Sequence, residues 1–175
     1  MKIRPLHFLL FSLLVMGSCG TKEAAKPIMY EGPLTQAEDV DMLYTEKDKI
    51  KLNMKAKKVN ELQNGDREFP EGIYLEFFDE TGKLTSTLRA NEAYNFKQEN
   101  KWRGRGNVEV NNIEKNQHLT TEELFWKQDT KRIFTDKFVT IKTQSEIVYG
   151  TGLDAAQDLS EYTIKEITGD LEVKE

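Results

Sequence analysis

Cysteine occurs once in this 175-residue chain, at Cys19, and histidine twice, at His7 and His118. One thiol forms no internal disulfide. One histidine beyond the N-terminal segment leaves no ligand set for a zinc site and no base for a serine or cysteine triad. This scarcity argues against an enzyme. Basic residues are also in the minority, 25 Lys and Arg against 30 Asp and Glu, for a formal net charge of −5. A surface of that sign suits neither the phosphates of nucleic acid nor anionic lipid headgroups, so no nucleic-acid partner is expected. No Gly-Lys-Ser/Thr follows Gly104-Arg105-Gly106 or Gly150-Thr151-Gly152, so neither reads as a phosphate-cradling loop. Glycines that permit bulges or bends in strands are the expected reading. No cofactor and no metal are expected.

What is present starts at the N-terminus. Lys2 and Arg4 precede an apolar run over residues 6–16 (LHFLLFSLLVM), then Gly17, Ser18 and Cys19. Charge, apolar run and small residues in that order describe a secretory signal, residues 1–18. A cysteine directly after the small pair reads as a lipidation site, with Cys19 as the new N-terminus. The alternatives are a cleaved signal without lipidation and an uncleaved anchor, although the run is short of the roughly 20 residues needed to span a bilayer. Loss of Lys2 and Arg4 leaves 23 basic residues against the 30 acidic ones. Acyl chains, at about 0.8 kcal/mol per buried methylene, would then supply the membrane attachment that the side chains do not. Residues 19–39, with Pro27, Gly32 and Pro33 among small and charged residues, read as a tether. Residues 40–175 are of a size for one domain.

Within that domain, short runs alternate apolar and polar residues and are bounded by Gly, Asn and Asp, among them KIKLNMKAKKV, GIYLEFF, KLTSTLRA, KFVTIKT and EYTIKEI. Period-two alternation rich in Val, Ile, Thr, Phe and Tyr predicts strands and an all-β domain. Asp79-Glu80-Thr81-Gly82 reads as a hairpin turn with Gly82 at positive φ. Thr120-Thr121-Glu122-Glu123 has the spacing of a helix capping box, and LDAAQDL at 153–159 also tolerates a helix. A repeat argues against both. Glu92-Ala93-Tyr94, Glu123-Leu124-Phe125 and Asp154-Ala155-Ala156 recur about every 31 residues, and Val108-Glu109-Val110, Val139-Thr140-Ile141 and Leu171-Glu172-Val173 recur behind them. Similarity at a fixed period means one strand-pair unit stacked on its neighbours.

Alternation assigns Leu75, Phe77, Val108, Val110, Leu124, Trp126, Ile133, Val139, Ile141, Leu171 and Val173 to the inner face. These residues either line an apolar trough or fill a closed core; composition does not separate the two. Trp102 and Trp126 read as packing residues, Arg103 and Arg105 as solvated strand ends, and His118 as a surface residue in a turn-like stretch. Asp79 with Glu80, and Glu122 with Glu123, are sequence neighbours and poorly placed as general acid–base pairs.

Five segments in order, FPEGIYLEFFDETGK (69–83), LRANEAYNF (88–96), W-x-GRGNVEV (102–110), LTTEELFWKQDTKRIFTDKFVTI (119–141) and IVYGTGLDAAQDLSEYTI (147–164), closely resemble the LptC family, a component of the lipopolysaccharide transport bridge. The form most resembled is the lipoprotein variant of Bacteroidetes-like bacteria. The resemblance covers about residues 40–173. It implies an open antiparallel β-jelly roll, the β-taco, whose trough takes the acyl chains of lipopolysaccharide. It further implies docking of the N-terminal edge (residues 40–52) on an inner-membrane ABC transporter, and pairing of the C-terminal edge with a homologous periplasmic bridge protein. The implied location is the periplasmic face of the inner membrane. The anchor departs from proteobacterial members, in which a transmembrane helix stands where Cys19 stands here. The competing reading is a structural or assembly envelope lipoprotein with a closed β core and no lipid cargo.

Overall fold

The computed structural model describes Tyr30 and residues 32–168. Cys19, Leu171 and Val173 therefore lie outside the described residues. Eleven strands follow in chain order: β1 (Thr35–Glu46), β2 (Lys49–Glu61), β3 (Arg67–Phe69), β4 (Ile73–Phe78), β5 (Leu84–Ala90), β6 (Glu92–Phe96), β7 (Lys101–Asn112), β8 (Gln117–Lys127), β9 (Arg132–Lys142), β10 (Ile147–Ala156) and β11 (Tyr162–Thr168). All pairings are antiparallel and belong to one sheet. The all-β expectation holds, and the sheet is not a closed barrel. Thr120–Lys127 and Leu153–Ala156 are strand, as the repeat requires.

Nine passes make up the eleven strands. β3 and β4 run in the same direction and both pair with β2, so they are one interrupted pass; β5 and β6 are another, since both pair with β7. The sheet is thus an up-and-down meander, and the 31-residue repeat is one outward and one return pass. Among the described residues, β1 and β11 each pair on one side only.

A line of irregularities crosses the meander. The β7–β8 pairing slips by one residue between Arg105 and Val108, β8–β9 between Thr121 and Phe125, and β9–β10 between Thr151 and Leu153. The same one-residue offset separates the β3 and β4 pairings with β2, the β3–β6 and β4–β5 pairings, and the β5 and β6 pairings with β7. On this line stand Gly72, Gly106, Asn107 and Gly152, all at positive φ. An extra residue bends a strand and increases its twist, and the left-handed conformation it demands favours Gly and Asn. A column of such bulges is a crease. It divides the sheet into two leaves, one holding β4 and β5, the other holding β3 and β6, with the long strands running through both. In the Gly104–Gly106 and Gly150–Gly152 motifs the second glycine is the bend residue, with φ of 71° at Gly106 and 76° at Gly152, while Gly104 and Gly150 stay in the regular ladder.

The crease closes the leaves on each other. Phe77 and Trp126 belong to opposite leaves; in a flat sheet three passes, roughly 14 Å, and nine residues along β8, roughly 30 Å, would separate them, yet their rings meet edge-on at 5.6 Å between centroids. The hairpin turns fall in two rows that face across the mouth of the fold. Residues 79–82 form one, with Gly82 at φ 84° as expected; the Asp79 carboxylate accepts from the Thr81 and Lys83 amides at 2.7 and 3.0 Å.

The first strand begins at Thr35, within residues read from the sequence as tether. Thr35–Asp39 show no apolar alternation because β1 is an exposed edge held by backbone pairing to β2. β7 also begins well before the Val108-Glu109-Val110 run. Its first half contains Gly104 and Gly106, which mask the alternation.

Candidate functional site in the sheet interior

Nine of the eleven residues assigned to the inner face fall within the described residues, and the structure brings all nine together between the leaves. Eight of them, Leu75, Val108, Val110, Leu124, Trp126, Ile133, Val139 and Ile141, are at most 5% exposed; Phe77 is half-buried and packs against the same cluster. Alternation found them because each leaf is regular on its own side of the crease. It missed Phe69, Ile73, Leu88, Leu119, Leu153 and Leu159, which join the same core. Leu153 changes face only because the bulge at Gly152 intervenes. Phe69 sits in a three-residue strand before Pro70, too short to show a period. Leu159 lies in a turn, where no periodicity exists.

The interior is filled. The space bounded by Ile73, Leu75, Leu88, Trp102, Leu124 and Trp126 is about 20 Å³, room for about one water molecule. Trp102 lies between Phe69 at 5.4 Å and Trp126 at 6.1 Å, so both tryptophans pack as expected. The apolar lining nevertheless runs out to solvent at the edges. At the β1 edge, Val40, Met42 and Tyr44 stand opposite Ala56, Met54 and Leu52 on the inner face, and Met42 and Tyr44 are 41% and 49% exposed. At the other edge, Tyr162 and Ile164 are half-buried against the core.

Polar groups are arranged around this lining. Trp126 Nε1 donates to Gln157 Oε1 at 3.0 Å. Burial and, to a lesser degree, the Glu146 carboxylate raise the Tyr162 phenol above its ordinary pKa. Arg103 is half-buried on the outer face, its guanidinium 5.8 Å from the Tyr94 ring and 5.7 Å from that of Phe96, and Arg105 pairs with Glu123 at 3.5 Å. Neither is a free strand end. His118, expected in a turn, is in β8, half-buried, with Nδ1 hydrogen-bonded to Asn111 Oδ1. The adjacent carboxylates are separately engaged: Asp79 holds its turn, Glu80 pairs with Lys51 at 2.5 Å, and Glu123 pairs with Arg105. Among the described residues, Asp79 and Glu80 are thus held by different partners.

A sheet creased into two leaves, largely apolar on its inner face with a few buried polar residues such as Ser86 and Asn112, and with β1 and β11 each paired on one side only, is an architecture suited to sheltering hydrophobic chains. Residues 6–171 match the family described as lipopolysaccharide-assembly, LptC-related. The chain belongs to that family. With membership come a non-enzymatic role in lipopolysaccharide assembly and transport, lipopolysaccharide and other transport components as partners, and a place in the cell envelope. No curated protein matches the chain.

Proposed function

We propose that this protein is a lipid-transfer component of the lipopolysaccharide export bridge, attached to the periplasmic face of the inner membrane by acylation of Cys19. It receives lipopolysaccharide from an inner-membrane ABC transporter at its β1 edge and passes it to a homologous periplasmic bridge protein at its C-terminal edge. One observation carries this reading: the apolar lining of the leaves continues to the β1 edge, where Met42 and Tyr44 are exposed. Such a lining removes acyl chains from water at roughly 25 cal/mol per Å², while the sugar head stays in solvent. Unpaired edge strands, ordinarily an aggregation hazard, suit β-augmentation by a related sheet. Directional energy comes from the transporter.

The filled interior supports a second reading, an assembly lipoprotein with a packed core and no cargo. The two are separated by a photo-crosslinking side chain at Leu124 or Val139. The carrier reading expects adducts with lipopolysaccharide in cells actively exporting it. Crosslinks only to neighbouring residues of the same chain, in those same cells, would establish the packed-core reading.

A further inference from the structure

The mouth between the leaves is held shut at one place by groups on both sides. Asn112 ends β7 on one leaf and is buried. Its side-chain amide donates to the Asp158 carbonyl, in the turn after β10 on the other leaf. Asn112 Oδ1 accepts from the Lys115 amide at 2.8 Å, and Lys115 Nζ reaches the Ser160 carbonyl at 3.4 Å. In a flat sheet these turns would stand a full strand length apart, roughly 35 Å for a strand of this size.

The turn so latched does more than bridge. Asp158 and Ser160 are exposed, but Leu159 between them is fully buried and belongs to the core cluster. It achieves this at φ 55°, a conformation that leucine rarely adopts. Strain of that kind persists only where surrounding contacts hold it; here they are the Leu159 amide to the Ala156 carbonyl at 2.9 Å, the Gln157 amide to the Lys131 carbonyl at 2.9 Å, and the latch. Beside the latch, Gln117 pairs with Asn112 across the β7–β8 hairpin, and its Oε1 is buried with no hydrogen-bond partner. In the closed mouth this acceptor is left unsatisfied.

We infer that the gap between the 113–116 turn and the 157–161 turn is a side port for acyl chains, with Leu159 as its plug and Asn112 and Lys115 as its latch. This rests on the carrier reading. Withdrawal of Leu159 opens the core cluster to which it belongs, and the freed Lys115 ammonium and Gln117 carbonyl then face the cation-seeking phosphate and the hydroxyl or amide donors of a lipid head at the rim. The port takes a chain from the side, so the lipid need not be threaded in from an edge.

Both Lys115 and Ser160 are exposed, so the port can be locked from outside. The full-length acylated protein carrying Lys115→Cys and Ser160→Cys is bridged with a cleavable bifunctional maleimide and offered radiolabelled lipopolysaccharide. Bridging should lower uptake by about tenfold or more, because the competent population is removed, and cleavage of the linker should restore it. Equal uptake before and after bridging would overturn the port and leave the carrier reading intact. No uptake by the bridged, cleaved or unsubstituted protein would overturn the carrier reading and the port with it. As a second measurement, Leu159→Ser should speed uptake about threefold or more without lowering the amount bound; unchanged uptake kinetics in this variant, when folded, would also overturn the plug.

Discussion

Asp66 is buried beneath the turn that joins β2 to β3, and burial pushes its carboxyl upward. Hydrogen bonds win over that push. The Lys97 amide donates at 2.9 Å, the Tyr94 hydroxyl at 2.9 Å and the Asn64 amide group at 2.8 Å, and together they hold the carboxyl below its usual range. Because the folded-state pKa is the lower one, this contribution is present above the unfolded value near 4 and is lost as pH falls through the folded value. Asp66→Asn should therefore cost about 1–3 kcal/mol at neutral pH, and the gap to the unsubstituted protein should narrow in acid. Urea unfolding at both pH values checks this; a gap that stays constant through the acid range would contradict it. Nothing in the sequence separates Asp66 from the other acidic residues, since its three partners come from Asn64 and from residues about 30 positions away.

At the scale of the strand, the bulges decide more than propensity does. Gly150 illustrates it. A Cβ built there would stand 2.4 Å from the Glu166 carbonyl oxygen and 2.4 Å from Ile164 Cγ2, both on β11. β11 leans over β10 at this point, and only glycine leaves the space. Gly150→Ala should cost about 1–3 kcal/mol and loosen β11 selectively. Amide exchange within Tyr162–Thr168 should accelerate while β7–β9 keep their protection; unchanged protection of β11 would show that the close approach is not a constraint. The strands themselves were legible, because alternation survives wherever one face is buried and the other solvated. β1 was cut short and β3 was missed because an exposed edge and a three-residue strand carry no such contrast. The glycine motifs were legible as bends, but that their bulges align into one crease depends on pairings made far apart in the chain.

At the scale of the whole molecule, the inner face was legible residue by residue, while the spacing between the leaves was not. The same side chains line a trough or fill a core according to how far the crease has closed, and alternation is blind to that angle. In this structure the leaves meet, with room for about one water between Leu75, Leu88, Trp102 and Leu124. Interiors at crystal-like density do not admit a chain without separating, so transport through this domain requires the leaves to part and then return. The crease is suited to this, since bending concentrates in a line of bulges rather than in the paired leaves. Spin labels at Glu114, in a turn of one leaf, and Asp129, in a turn of the other, report the opening directly through their separation. On addition of lipopolysaccharide the distance should grow by about 5 Å, half the ~10 Å spacing of packed sheets; a distance that does not change while lipopolysaccharide is bound would contradict the account.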